Sequence, residues 1–166
     1  LSGAGKSMAV NALEDIGFFC IDNIPAGLLP RILDFAQQGE NQLSRVAVVM
    51  DIRGLHSVQE TNEALEALDE KKMPYDILFL DASDAAIRRR YKETRRVHPM
   101  TISEGIPVSE AITKERQILQ PLRERAKYVI DTSLLSTAQN RERVSSLFLQ
   151  KGQCAMSINV VSFGFK

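Results

Sequence analysis

The chain opens on a glycine-rich segment whose residue types can bind phosphate. Its first seven residues read Leu1-Ser2-Gly3-Ala4-Gly5-Lys6-Ser7, which fits the pattern G-x-x-x-x-G-K-S from the second position onward. The glycines let backbone amides turn towards a phosphate, and the start of a helix adds a partial positive charge. Lys6 can reach the β- and γ-phosphates of a nucleotide, while the Ser7 hydroxyl can bind Mg²⁺. The alternative, a glycine-rich turn with a solvent-facing lysine, is less favoured because G-K-S directly opens an amphipathic helix.

An aspartate follows each of four short apolar runs. These aspartates are Asp22, Asp51, Asp81 and Asp131. Any of the first three could hold Mg²⁺ through water, although an aspartate at a strand end is also a common turn former or helix cap. We predict a magnesium site formed by Ser7 and Asp81, with Asp51 and then Asp22 as the next candidates. Acids on the later helices have basic neighbours and are predicted to form exposed pairs, namely Glu110, Glu115 and Glu124.

Six cations lie within nine residues, opposed only by Glu93. They are Arg88, Arg89, Arg90, Lys92, Arg95 and Arg96, and His98-Pro99 follows. Arginine forks fit phosphate oxygens and can offset the charge that develops during phosphoryl transfer. We interpret the segment as a lid in which Arg89 and Arg96 share one helix face and act as catalytic residues, with Arg95 beside Arg88. A solvated helix face and an RNA-binding patch are the alternatives, although Tyr91 alone supplies aromatic interleaving.

Continuous apolar runs predict strands that are covered on both faces, as in a parallel sheet flanked by helices. The runs span residues 18–21, 46–50, 77–80 and 128–130. Helices are predicted over residues 8–16, 27–38, 57–71, 84–96, 109–127 and 137–150, with Pro121 kinking or splitting the fifth. Residues 97–108 are predicted to form a loop, and residues 158–161 a further strand. Because α/β folds bind ligands at the carboxyl ends of their strands, the aspartates would lie at the functional edge.

Composition places the chain among ordinary globular domains. It has 166 residues, 44% of them apolar, and its 21 basic and 21 acidic side chains cancel. A neutral chain makes no long-range field, so any binding to nucleic acid or to an anionic membrane has to be local. Its apolar stretches of about five residues are far shorter than the roughly 20 that span a bilayer. The short apolar stretches and the neutral net charge predict no membrane partner. Cys20 and Cys154 show no disulfide or zinc spacing, which favours a reducing, cytoplasmic setting.

Several longer motifs together resemble one bacterial family. They are S-G-A-G-K-S at 2–7, G-F-F-C-I-D-N-I-P at 17–25, D-I-R-G at 51–54, L-F-L-D-A at 78–82, R-R-Y-K-E-T-R-R-V-H-P at 89–99, V-I-D-T-S at 129–133 and S-F-G-F-K at 162–166. The chain closely resembles the RapZ/YvcJ family of P-loop nucleotide-binding proteins, and the match runs in order from end to end. The arginine-rich motif and D-N-I-P are specific, whereas the phosphate loop alone would indicate only a superfamily.

The resemblance implies an α/β P-loop NTPase fold of the small-molecule-kinase type. Its parallel sheet would have helices on both faces and a first strand that precedes residue 1, so the sheet of this chain would lack its central strand. The resemblance maps the phosphate loop to residues 1–7, and Asp51-Ile52-Arg53-Gly54 matches the stretch that the family assigns to GTP. We therefore predict a nucleotide-binding domain over residues 1–155 and the start of a C-terminal domain at 156–166. In the family, that second domain carries RNA binding and the sensing of an amino-sugar phosphate.

The sequence favours a nucleotide-binding regulatory protein that binds ATP or GTP with Mg²⁺ and hydrolyses it slowly. One alternative is a small-molecule kinase of the shikimate or gluconate type, although residues 23–30 offer little polarity for a sugar. Another is an adapter whose basic helix binds RNA or protein, with the nucleotide as a switch. An oligomer is compatible with all three hypotheses.

Overall fold

The computed structural model describes residues 1–38, 45–51, 55–149 and 157–163, and this part of the chain alternates helices with strands. In chain order the elements are α1 (Lys6–Asp15), β1 (Phe19–Ile24), a 3-10 turn (Ala26–Leu28), α2 (Leu29–Gln38), β2 (Arg45–Asp51), α3 (Leu55–Glu70), β3 (Asp76–Asp81), α4 (Asp84–Thr94), α5 (Pro99–Glu104), α6 (Val108–Arg125), β4 (Tyr128–Asp131), α7 (Thr137–Leu149) and β5 (Ser157–Phe163). Each predicted strand and helix is present near its expected place. Within these described ranges, no helix combines the length and apolarity needed to cross a bilayer.

The five described strands form one parallel sheet in the order β1-β2-β5-β3-β4. Residues 46–50 and 77–80 are buried along their whole length. Because successive side chains of a strand point to opposite faces, both faces of the sheet must be covered. The predicted α/β fold with a parallel sheet is therefore confirmed.

Helix contacts fall into two groups, which fits one layer on each face of the sheet. α1 packs against α7, whereas α6 contacts α3, α4 and α5, and α3 contacts α2. Phe148 anchors α7, since its ring packs edge-on against Phe18 and Tyr128 with centroids 5.9 and 5.5 Å apart. This packing fixes the end of α7 beside the segment that follows α1.

The central strand is β5, although we expected the sheet of this chain to lack its central member. β5 lies parallel between β2 and β3, with Ile158 opposite Val46 and Val160 opposite Ile77. The physical reason is that the backbone N–H and C=O groups along the inner edges of β2 and β3 require partners, which an apolar β-branched run supplies. The assignment of residues 156–166 to a second domain stays a prediction.

The segment after β3 differs from the prediction in two places. α4 ends at Thr94 rather than Arg96, because Arg95 takes a left-handed conformation with φ 52° and its N–H returns to carbonyls of the last turn. The predicted loop 97–108 contains α5, which the His98 side chain caps and Pro99 begins. A cap followed by proline at the first helical position is a known helix start, so the sequence did carry this signal.

α6 runs without interruption through Pro121, so the helix is not split there, and a kink at this residue stays a prediction. The proline removes the N–H that would bond the carbonyl four residues earlier, at Gln117. Both residues are exposed. Water can therefore solvate that carbonyl, and the helix continues.

Candidate functional site

A cavity of about 600 Å³ lies beside the glycine-rich segment. Its wall combines the start of α1, the second half of α4 and the segment from the end of β4 into α7. The lining includes the predicted site residues Gly3, Gly5, Lys6, Ser7, Arg89 and Arg96, together with Arg90, Thr132 and Asn140. Three distant regions of the sequence therefore meet at one opening.

Two glycines give the glycine-rich segment at residues 1–7, called the loop below, a backbone shape that other residues rarely adopt. Gly3 and Gly5 have φ angles of 79° and 95°, in the left-handed region that glycine enters without a steric penalty. Gly5 caps the N-terminus of α1 without a side chain, and a Cβ at this position would lie 2.7 Å from Nδ2 of Asn140. The loop can approach α7 this closely only because the residue is glycine.

Arg90 and Thr132 hold two carbonyls of the loop. Arg90 donates from Nη1 to the Gly3 carbonyl at 3.0 Å, and it also donates to the hydroxyl and carbonyl of Thr132. Thr132 in turn donates from Oγ1 to the Ala4 carbonyl at 2.9 Å. In a trans peptide the N–H points away from the C=O, so the second bond directs the Gly5 amide to the opposite side of the loop. Sequence reasoning missed Thr132 and treated Arg90 only as one of six cations.

Lys6 faces a carboxylate at the end of β1. Its Nζ lies 3.6 Å from Oδ1 of Asp22, and its side chain is only 14% exposed. Asp22 precedes Asn23, which has a φ of 61°, at the point where the pairing of β1 with β2 becomes irregular. A bound phosphate would compete with Asp22 for this lysine.

Asp81, the predicted magnesium ligand, has both carboxylate oxygens hydrogen-bonded to groups outside the glycine-rich segment. Oδ1 accepts hydrogen bonds from Nη1 of Arg116 at 2.7 Å and from the Ala82 amide at 2.8 Å. Oδ2 accepts from Nε of Arg123 at 3.4 Å. Burial would lower the pKa of Arg116, but Asp81 and Asp84 outweigh it and raise that pKa. The role of Asp81 in metal binding stays a prediction.

The predicted GTP segment begins at the carboxyl end of β2. Its first residue, Asp51, is the last residue of that strand, and strand carboxyl ends are where α/β sheets bind ligands. The side chain of Asp51 lies outside the described part of the chain, as do Ile52, Arg53 and Gly54. The assignment of this segment to GTP stays a prediction.

A buried acid and a buried histidine support the loop from behind. Glu115 accepts hydrogen bonds from the Ser2 amide at 3.0 Å, from the Ser2 hydroxyl at 2.5 Å and from Nε2 of His98 at 3.3 Å. Nδ1 of His98 accepts from the Met100 amide at 3.2 Å, which places the ring proton on Nε2, towards the carboxylate. The residues Ser2, His98 and Glu115 are at most 2% exposed. The prediction that Glu115 forms an exposed pair is therefore wrong.

The carboxylate of Glu115 is held in its ionised form. Burial alone would raise the pKa of Glu115, but the hydrogen bonds from His98 and from the Ser2 hydroxyl act against it. Together they hold the pKa of Glu115 below its ordinary value of 4.5. Leu1, Ser2 and Ala4, which we predicted to bind nucleotide, are buried, so their side chains form the back of the loop rather than its cavity side.

The two predicted lid arginines line the cavity, but not for the predicted reason. Arg89 lies on α4 with its Nε 3.7 Å from Oε1 of Glu93. Arg96 lies beyond the end of the helix, so the argument from a shared helix face is wrong. It follows the left-handed turn at Arg95 and lines the same cavity as Arg89. Arg89 and Arg96 therefore add positive charge to the cavity that the glycine-rich segment also lines.

The chain is similar to bacterial proteins that are named for nucleotide binding. The RapZ-like N-terminal domain family matches it over residues 1–152. A nucleotide-binding protein of Moorella thermoacetica is 47% identical over 170 residues, and those of Oceanobacillus iheyensis and Alkaliphilus oremlandii are 44% and 42% identical over 167 residues. Each similarity covers 100% of this chain and 56% or 57% of the relative. The chain thus spans a little more than half the length of these curated relatives.

Proposed function

This chain belongs to the RapZ-like N-terminal domain family, and we propose that it is a nucleotide-binding regulatory domain that binds ATP and GTP with Mg²⁺ and hydrolyses them slowly. The observation that carries the proposal is the cavity of about 600 Å³ lined by Gly3, Gly5, Lys6 and Ser7. This volume fits a small-molecule ligand. The names of the relatives support a nucleotide as that ligand, and the parallel sheet supports a P-loop fold of the small-molecule-kinase type.

The loop binds phosphate through its backbone and one lysine. α1 begins at Lys6, so the positive end of the helix dipole and the first helical amides lie at the cavity. Lys6 adds a full positive charge when phosphate displaces Asp22 from it. Both contributions favour a multiply charged anion over a neutral ligand.

Ser7 and Asp22 fit a magnesium site better than Ser7 and Asp81 do. Ser7 lines the cavity, and Asp22 lies 3.6 Å from Lys6 of the same loop. By contrast, both oxygens of Asp81 accept hydrogen bonds from arginines. Mg²⁺ prefers oxygen ligands and keeps several of its waters, so one hydroxyl and one carboxylate are sufficient protein ligands. Bound Mg²⁺ supplies positive charge that neutralises the nucleotide phosphates.

We expect Asp22→Asn to lower Mg²⁺-dependent hydrolysis by about tenfold or more, because the variant loses a charged oxygen ligand. Asp81→Asn serves as the matched comparison and should retain most of the turnover. Phosphate release is measured at saturating ATP over a series of Mg²⁺ concentrations, where a weakened metal site appears as a higher Mg²⁺ requirement. A larger loss of turnover in Asp81→Asn than in Asp22→Asn would instead assign the magnesium site to Asp81.

The cavity wall offers no well-placed general base among its described residues, which supports slow hydrolysis. Among the described lining residues the single carboxylate is Glu93, which lies 3.7 Å from Arg89. A general base must be within hydrogen-bond reach of the attacking water. A carboxylate that is paired with a neighbouring arginine is poorly placed for that task, so hydrolysis is expected to be weak.

The surface beside β1 and α2 supports a nucleotide hydrolase rather than a sugar kinase. It forms an apolar groove whose lining includes Phe19, Leu28 and Phe35. A sugar in this groove would exchange its hydrogen bonds with water for few bonds with protein. We therefore keep slow hydrolysis as the proposed activity.

Replacing both Arg89 and Arg96 with alanine should lower turnover by about tenfold or more and change nucleotide affinity little, because the charge they meet develops during transfer. The matched control is Arg88→Ala with Lys92→Ala, which removes two exposed cations of the same helix that do not line the cavity. Single-turnover rates and calorimetric affinities separate the two effects. If hydrolysis were unchanged and RNA binding of the intact protein fell with a strong salt dependence, the arginines would belong to an RNA surface instead.

For the longer protein that the relatives represent, we propose a cytoplasmic adapter that binds RNA or a protein partner. The family resemblance supports this role, and it assigns RNA binding to a region beyond the residues matched here. In this scheme the nucleotide domain regulates that binding. Comparing the RNA affinity of the intact protein with and without ATP and Mg²⁺ tests it, and equal affinities would contradict it.

A further inference from the structure

Asn140 on α7 contacts the phosphate loop from a great distance in sequence. Its Nδ2 donates to the Gly5 carbonyl at 3.3 Å. The side chain lines the cavity and is only 3% exposed. Resting on the proposed function, we propose that Asn140 is a positioning residue that sets the peptide between Gly5 and Lys6 for phosphate binding.

The hydrogen bonds of one carbonyl determine the direction of the next amide. The Gly5 carbonyl accepts from Nδ2 of Asn140 and from the Ala9 amide, both at 3.3 Å. The Ala9 donor lies in the first turn of α1, so the carbonyl points along that helix. Because the N–H of a trans peptide points away from its C=O, the Lys6 amide projects beyond the start of the helix. That is the direction from which a helix N-terminus binds an anion.

The contact depends on a close fit between α7 and the loop. Gly5 has a φ of 95°, and a Cβ there would lie 2.7 Å from Nδ2 of Asn140. The amide therefore occupies the space that a larger residue at position 5 would need. Asn140 and Gly5 together fix where the loop peptide lies relative to α7.

Stability of the fold does not explain the choice of asparagine at this position. Its Oδ1 is buried and has no hydrogen-bond partner among the described residues. A buried acceptor without a donor destabilises a folded protein. An apolar side chain of similar size would avoid that penalty, but it could not donate to Gly5. The amide is therefore better explained by what it does to the loop than by its packing.

The test uses Asn140→Leu and the smaller Asn140→Ala, both of which remove the donor together with the orphaned acceptor and add no charge beside the phosphate site. We expect the affinities for ATP and for pyrophosphate to fall about tenfold in both variants, since each loses one well-placed hydrogen bond behind the phosphate site. The unfolding temperature of Asn140→Leu should be unchanged or higher. A residue with a purely structural role would instead lower stability and affinity together.

Asn62→Leu is the matched control. Asn62 lies on α3, is half-buried, has an Oδ1 without a partner among the described residues and does not line the cavity. Its replacement should leave ATP and pyrophosphate binding unchanged. Wild-type affinity in both Asn140 variants would overturn the inference, as would a loss of affinity that only follows a loss of stability. If the wild-type chain bound neither ATP nor pyrophosphate, the proposed function itself would fail and the inference with it.

Discussion

Lys6→Ala should weaken the binding of ATP and GTP by about 10- to 100-fold, the amount expected when one hydrogen bond to a charged group is lost. Lys6 carries the full positive charge of the phosphate loop and lines the cavity. Its side chain is only 14% exposed, so solvent screens it less than a surface lysine. Hydrolysis should approach background, because the same charge is needed as the phosphates react. Calorimetry measures the affinities, and phosphate release measures turnover.

Lys71→Ala is the control for the lysine variant. Lys71 is exposed, lies 3.1 Å from Asp34 and is outside the cavity wall. Its loss removes the same charge from the chain without touching the loop, so affinity and turnover should stay at wild-type values. Equal nucleotide binding by Lys6→Ala and the wild type would contradict the assignment of this loop to phosphate.

Glu115→Ala should lower the free energy of unfolding by about 2–6 kcal/mol, because it leaves two buried donors unsatisfied at a cost of about 1–3 kcal/mol each. The change leaves the Ser2 amide and Nε2 of His98 buried without their shared acceptor. It also opens a space behind the phosphate loop. Denaturant titration of the variant measures the loss. The exposed Glu110, near the start of the same helix, provides the control and should tolerate alanine with little change.

The same carboxylate should make stability depend on pH. Its pKa lies below the ordinary value of 4.5 in the folded chain, so its stabilising effect is complete above the pKa of the unfolded state. That effect is lost as the pH falls through the lower pKa of the folded state. The stability difference between wild type and Glu115→Gln should therefore be constant near neutral pH and shrink in acid. A difference that grew in acid would contradict an ionised Glu115.

Local patterns in the sequence were sufficient to predict the strands and the loop residues that line the cavity. The apolar runs 46–50 and 77–80 predicted buried parallel strands because continuous burial on both faces requires continuous apolarity. The spacing of a phosphate-loop pattern also predicted that Lys6 and Ser7 lie together at one site, and both line the cavity, while their binding of phosphate stays a prediction. These features depend on neighbours in the chain, so a short stretch of sequence contains the information.

Features that depend on tertiary contacts were not predictable in the same way. Charged neighbours made Glu115 look like a surface acid, yet the fold places it under Ser2. Arg89, Arg90 and Arg96 are alike in sequence, but Arg90 alone reaches the Gly3 carbonyl. The side chain of Arg90 is half-buried, and this burial together with the charge of Arg89 lowers its pKa. Only the tertiary contacts of each side chain distinguish these three residues.

The supports of the phosphate loop also determine when it can be completed as the protein is made. Arg90, Thr132 and Asn140 lie 87, 128 and 135 residues from the loop carbonyls that they hold. A ribosome must therefore deliver the first turn of α7 before the loop has all its supports, and contacts across such separations form late in folding. A ligand that needs the finished loop binds only chains that have reached this stage. Nucleotide would accordingly protect completed chains from proteolysis and leave unfinished ones to be degraded.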